Sequence, residues 1–350
     1  MYRTPPKRTA RLDSSLARKI VLGNGRRRVS LLRQAMFDQP DSTPPIICVL
    51  GPTGAGKTRL ALTLAEALGA EIISADSRQV YRYMDIGTDK VSKDHRGRVP
   101  HHLIDVAAPD ETYSAQHFAS EARAVIRRLG AQGRPAILAG GTGFYVRTLL
   151  DVPALPPVEP NPELRSRLYR EAEEHGGESL HARLAELDPA SSARIHPHNL
   201  PRLVRALEIV ESTGAPVPVA GAVEAFPALR LGLEIDRGQL RHIVDDRIHR
   251  QIRAGLAEET RLLLHMGYDP DLPALQGFGY REMVQYLQGE LPLDVAVARY
   301  KMATHQYVRR QLTWFRADER IRWLQVGDRL DSGALVLAQE WIGSRRKGPR

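Results

Sequence analysis

The apolar run IICVL, residues 46–50, leads directly into GPTGAGKT, residues 51–58, and helical apolar spacing follows through TRLALTLAEALG, 58–69. No other stretch limits the chain so tightly. Five consecutive apolar residues closed by a glycine turn suit a strand buried on both faces. The glycines Gly51, Gly54 and Gly56 allow the backbone to wrap, so successive N–H groups point inward at an anion. Lys57 adds a point charge, the Thr58 hydroxyl is placed to ligate Mg²⁺, and the helix N-terminus adds its positive end. Gly51, Pro52, Thr53, Gly54, Ala55, Gly56, Lys57 and Thr58 match GxxxxGK[ST] at every fixed position in a strand-to-helix setting. A phosphate-binding P-loop is therefore predicted.

EIISADS (71–77) and PAILAGGTG (135–143) read as two further buried strands, with an amphipathic helix over 113–134 between them. Alternating strands and helices predict an α/β fold, a P-loop NTPase-like parallel sheet flanked by helices. All three strands end in polar or glycine-rich residues. Ligands of such sheets gather at the carboxyl ends of the strands, which predicts one shared cleft. A proline-rich joint, VPALPPVEPNP (152–162), then precedes nearly continuous helix over 163–196 and another helix over 201–213. LRLGLEID (229–236) returns as a strand, with helices to about residue 320. This order predicts a helical domain inserted over 159–228 between two parts of one core, 46–158 and 229–335. A basic extension, 1–45, and a basic tail, 336–350, flank them.

Composition sets outer limits. With 42% hydrophobic residues, a chain of 350 can bury more than one core. No apolar run reaches bilayer length, and the N-terminus lacks the apolar stretch of a signal peptide. The single cysteine, Cys48, lies inside a predicted strand, which leaves no disulfide framework and no Cys-based metal site. A cytoplasmic protein without a membrane partner is expected. The formal charge of +9 is concentrated, because residues 1–45 hold ten Lys or Arg against three Asp. That segment has the composition of a disordered extension. Any nucleic-acid surface on the folded body has to be local.

Taken alone, the P-loop suggests a kinase of a nucleotide or small metabolite, with Asp76 as the acid at a second strand end. A GTPase-like switch is disfavoured by the absence of an NKxD motif. Further motifs separate these classes. ADSRQVYRYMDIGTDK (75–90), PHHLID (100–105), YSAQHF (113–118), GGTGFYVRTLL (140–150), ARIHP (193–197), RALEI (205–209), GFGYREM (277–283) and RRQLTWFR (309–316) occur in that order. Together with the loop, they make the chain resemble the tRNA dimethylallyltransferases from about residue 46 to about residue 325.

The resemblance implies that the loop, with Mg²⁺, holds the pyrophosphate of dimethylallyl diphosphate and that no ATP is consumed, despite the ATP-binding pattern. Arg247 resembles a second pyrophosphate-binding arginine. Asp76 would be the base that receives a proton from the adenine amine, and Thr142 would help align that amine with the allylic carbon. The anticodon stem-loop of tRNA would meet Asp76, Ser77, Arg78, Gln79, Thr142, Arg165 and the run Pro201, Arg202, Leu203, Val204, Arg205. A second cationic row, Lys301, His305, Arg309, Arg310 and Arg316, is interleaved with Tyr307, Trp314 and Phe315. Basic residues with aromatics can stack unpaired bases, whereas Trp314 and Phe315 on an amphipathic helix are expected in the core. The chain is expected to act as a monomer. A prenyltransferase acting on free adenylate is the nearest chemical rival; the helical insertion and basic C-terminal helices favour a macromolecular acceptor. Asn199, Pro201, Ile243 and His305 depart from the family pattern and bear on the RNA and phosphate contacts alone.

Overall fold

The computed structural model describes residues 44–151, 158, 161–217, 226–327 and 330–346. The expected basic extension therefore lies outside the described residues except for its last two positions. Two compact units are present, one formed by the segments 1–151 and 224–350, the other by 152–223. The insertion expected over 159–228 thus starts earlier and ends earlier. Exit and return are tied together: the Phe226 N–H donates to the Leu150 carbonyl at 3.1 Å.

The first unit is built on β1 (Ile46–Leu50), β2 (Glu71–Ser74), β3 (His101–His102), β4 (Ala136–Gly140), β5 (Ala228–Glu234) and β6 (Ile321–Gln325). They form one parallel sheet in the order β3-β2-β4-β1-β5-β6. Every residue of IICVL is buried, as a central strand covered on both faces requires. Helix α1 (Lys57–Leu68) follows β1 and closes at Gly69 in the left-handed region. The short α2 (Lys93–Arg98) precedes β3. Helix α3 (Ala115–Ala131) is capped by Ser114, which accepts from the His117 N–H, and α4 (Gly143–Leu150) leaves β4. Passage from β1 to β2 and passage from β2 to β4 run in opposite directions across the sheet. Right-handed crossovers therefore put α1 and α3 on opposite faces.

The second unit contains α5 (Pro162–His175), α6 (Gly177–Leu187), α7 (Pro189–Ser192) and α8 (Leu200–Thr213). Leu168, Leu180, Leu184, Leu203 and Leu207 form the centre of its own core. After β5 the first unit continues with α9 (Arg237–Arg253), α10 (Leu256–His265), α11 (Tyr280–Leu287), the long α12 (Leu293–Arg316) and, beyond β6, α13 (Leu330–Arg346).

Two expectations change here. The second strand, expected to run to residue 77, stops at Ser74, which frees Asp76 to begin a turn. Residues from 336 are not a tail through to 346. Leu330, Ala334, Ala338 and Ile342 recur every four positions on α13 and bury one helical stripe in the same core as Leu60 and Leu64 of α1.

Candidate active site

The phosphate loop stands where β1 meets α1. Gly54 and Gly56 have φ of 88° and 85°, which side-chain-bearing residues rarely adopt, so the wrapped loop depends on them. Gly54 is also close-packed: a Cβ there would lie 3.3 Å from Leu240 and Ile243 of α9. Ile243 thus packs against the loop as an apolar neighbour. The Lys57 ammonium donates to the Pro52 carbonyl at 2.7 Å, folding its side chain back over the loop. Burial pushes Lys57 down to about 8, while Asp76 pulls it upward. Thr58 is exposed at the mouth of α1.

Asp76 opens the turn after β2. Its Oδ1 accepts from the Arg78 N–H at 2.9 Å and more weakly from the Gln79 N–H at 3.4 Å, an Asx turn that fixes the carboxylate. The turn separates two cavities. Asp76 and Gln79 line a small one of about 70 Å³ with Thr53, Lys57, Thr58, Thr88, Asp89 and Arg247. Ser77 and Arg78 line the other, about 400 Å³, with Phe278, Arg281, Tyr307 and Arg310. The Arg310 guanidinium lies over the Tyr307 ring, 5.8 Å from its centroid. Arg78 is held by the carbonyls of Pro273 and Ala274 at 3.0 and 3.3 Å.

Thr142 stands beside this turn. Its hydroxyl accepts from the Ser77 N–H at 3.0 Å and is 3.3 Å from the Ser77 hydroxyl, so strand ends β2 and β4 are tied together at the site. Tyr307 of α12 reaches the same place. Burial first, then the Asp76 charge, push its phenol up to about 12, with hydrogen bonds to Thr142 and Gln311 pulling the other way.

Arg247 projects from α9 into the small cavity. Its guanidinium pairs with Asp89 at 3.0 Å and approaches the Thr88 carbonyl at 3.4 Å. Asp89 has φ of 52°, a left-handed conformation that Asp tolerates better than most residues. Neither Asp89 nor Gln311 was among the residues expected at the site. Gln311, buried on α12, accepts from the Thr53 N–H at 2.9 Å and donates to the Gly141 carbonyl at 3.0 Å. It lies within RRQLTWFR, but nothing in that basic run marks it apart from its neighbours.

The donor set around the small cavity suits Mg²⁺, since the Thr58 hydroxyl and the Asp76 and Asp89 carboxylates are hard oxygen ligands. Among the described residues no group of three or more His, Cys, Asp or Glu could hold a metal ion. A divalent cation here would complete its shell with water or substrate oxygens.

The residues expected to contact RNA divide into distinct groups. Asp76, Ser77, Arg78, Gln79 and Thr142 converge, as described. In the second unit, Pro201 and Arg202 are exposed at the start of α8. Leu203 and Val204 are corrected: both are buried in that unit's core, where the apolar stripe of α8 turns them away from any RNA. Arg165 and Arg205 both engage Glu208, a fully buried carboxylate that also accepts from the Asn161 N–H at 2.7 Å. Those hydrogen bonds overcome burial and bring Glu208 down to about 2. Both arginines remain about one-third exposed. Asn199 precedes α8 without a side-chain capping bond.

Lys301, His305, Arg309 and Arg316 line a groove of about 750 Å³ between α9 and α12, joined by Arg237 and Arg241. His305 pairs there with Asp245 at 2.8 Å. The two aromatics expected in the core separate: Phe315 is buried, but Trp314 is 39% exposed.

A glycine-rich loop, a carboxylate turn and a glycine turn, all at the carboxyl edge of one parallel sheet, are the arrangement of an enzyme with a P-loop NTPase-like fold. The family model described as IPP transferase matches residues 79–318. A tRNA dimethylallyltransferase of Symbiobacterium thermophilum is 44% identical over 314 residues, covering 87% of this chain and 98% of the relative. One from Geobacter sulfurreducens is 41% identical, with 88% and 100% covered. The crystal structure of the tRNA isopentenylpyrophosphate transferase of Bacillus halodurans superposes with a TM-score of 0.65 at 33% identity, covering 87% of this chain and 98% of that one. A eukaryotic dimethylallyltransferase acting on tRNA shares the fold, with a TM-score of 0.71 at 24% identity over 86% of this chain and 80% of that one. The chain belongs to the IPP transferase family.

Proposed function

We propose that the chain is a tRNA dimethylallyltransferase that moves the dimethylallyl group of dimethylallyl diphosphate to the N6 amine of the adenosine next to the anticodon, releasing pyrophosphate. One observation carries this reading: the Asp76 turn separates a small cavity walled by Lys57, Thr58 and Arg247 from a wider basic one lined by Tyr307 and Arg310. The first suits a diphosphate and the second an extruded, stackable base.

The loop amides, Lys57 and Arg247 bind the diphosphate and offset the negative charge that grows on it as the allylic C–O bond breaks. Mg²⁺, held by the Thr58 hydroxyl together with substrate oxygens, would supply further charge neutralisation there when bound. The N6 lone pair forms the new C–N bond, and the N6 proton passes to the Asp76 carboxylate. Oδ1 of Asp76 is occupied by the Arg78 N–H, which leaves Oδ2 for that proton. Thr142, anchored to Ser77, borders the path of the incoming amine. Ser77, Arg78, Tyr307 and Arg310 hold the loop around the target base. The same reading has the enzyme acting as a monomer in the cytoplasm, where its RNA substrate is found.

The test is direct. Unmodified anticodon stem-loop RNA, dimethylallyl diphosphate and Mg²⁺ should give equimolar prenylated adenosine and pyrophosphate without ATP. Product formed only when ATP is added would favour a kinase and reject the transferase.

A further inference from the structure

We infer that Gln311 is a positioning residue that sets the spacing between the departing diphosphate and the attacking amine; this rests on the transferase reading above. Its amide is used at both ends. Oε1 accepts from Thr53 of the phosphate loop and Nε2 donates to Gly141 of the glycine turn, whose next residue is Thr142. The two partners fix its orientation, because an N–H requires an acceptor and a carbonyl requires a donor. Among side chains of this size, only a primary amide satisfies both. Glutamate cannot donate, and methionine or leucine would leave both backbone groups without this partner, the Gly141 carbonyl in a buried setting.

The surroundings are arranged around this bridge. A Cβ at residue 141 would stand 2.2 Å from Gln311 Nε2, so the close approach requires glycine. One helical turn earlier, Tyr307 lines the wider cavity, and Thr142 and Gln311 both act on its phenol. Helix α12 therefore faces the acceptor cavity with Tyr307 and grips the phosphate loop with Gln311. A base seated against Tyr307 is registered, through one rigid helix, to the loop that holds the leaving group.

The test uses the full chain carrying Gln311→Met, which keeps volume and loses both bonds, and Gln311→Asn, which keeps the amide but is too short to span both partners. Both should bind inorganic pyrophosphate and stem-loop RNA within about threefold of wild type, while kcat at saturation falls about 100-fold, the scale of a 1 Å misplacement. The Thr53 amide should lose hydrogen-exchange protection in both variants. A wild-type kcat in either folded variant, or a loss confined to KM, would overturn the inference. If Gln311→Met does not fold, Gln311→Asn alone decides it. Should the wild-type protein itself fail to prenylate RNA, the transferase reading falls. The hydrogen-exchange comparison at Thr53 then still reports whether the bridge holds the loop.

Discussion

Asp76 shows how much one residue can carry when its backbone is settled by its own side chain. The Asx turn uses Oδ1 alone, so the residue can shape the turn and accept a proton at once. Asp76→Asn keeps the turn-forming oxygen and removes the carboxylate proposed as the base. The expected outcome is a kcat lowered by about 10² to 10⁴, the usual contribution of a positioned general base, with RNA affinity unchanged in a binding titration. Lys57 makes a prediction of the opposite kind. Burial lowers its proton affinity to about 8 in the free enzyme, so it is charged below that pH and neutral above it. A diphosphate prefers the charged form. The kcat/KM for dimethylallyl diphosphate should therefore fall as pH rises through about 8, approaching tenfold per pH unit where binding must recruit a proton. Lys57→Met should have a low kcat/KM with no such inflection.

At the scale of elements, the decisive contact is α12 lying against the turn between β4 and α4. Gly141 admits Gln311, and Gly143 admits the Trp314 indole, since a Cβ there would be 2.1 Å from the ring. The glycines in GGTG thus leave room for a helix, and Trp314 is held at the surface by this packing instead of entering the core. Gly141→Ala should strain the contact, at about 1–3 kcal/mol for an overpacked interior site, measured by denaturant unfolding. Its kcat should fall along with stability, because Thr142 moves with the turn. None of this is visible in the basic, aromatic run 309–316, whose composition suits a core or an RNA contact equally. A buried polar side chain that bonds two distant backbones has no periodic signature. By contrast, α13 could have been found: Leu330, Ala334, Ala338 and Ile342 fall at a spacing of four, but exposed Val336 and partly buried Leu335 and Leu337 spread the apolar signal around the helix.

For the molecule as a whole, the question is how one sheet stays closed while its chain leaves and returns. Arg230, 2% exposed within β5, pairs with Asp151, where the chain leaves the first unit, and with Asp318, just ahead of β6. Arg320 reaches the same two carboxylates. The network joins the exit point, the returning strand and the sheet edge. Removing one partner of a buried ion pair strands the other, so Arg230→Met should cost about 3–5 kcal/mol. Thermal and denaturant unfolding should both register that loss. A change below 1 kcal/mol would mean that Arg320 alone can satisfy Asp151.

What the sequence determined by itself was local and repetitive. A strand buried on both faces, a glycine loop and a helix declare themselves through adjacent residues, and so IICVL-GPTGAGKT announced β1, its glycine turn and α1 before any contact was known. The apolar runs and strand-end residues likewise marked the sheet and its chemical edge. The tertiary structure alone decided which polar groups work together. Gln311 meets Thr53 across 258 positions, Arg247 meets Asp89, and Leu203 and Val204 turn inward. The physical reason is range: backbone preference acts between neighbours in the chain, whereas hydrogen bonds and packing act between neighbours in space.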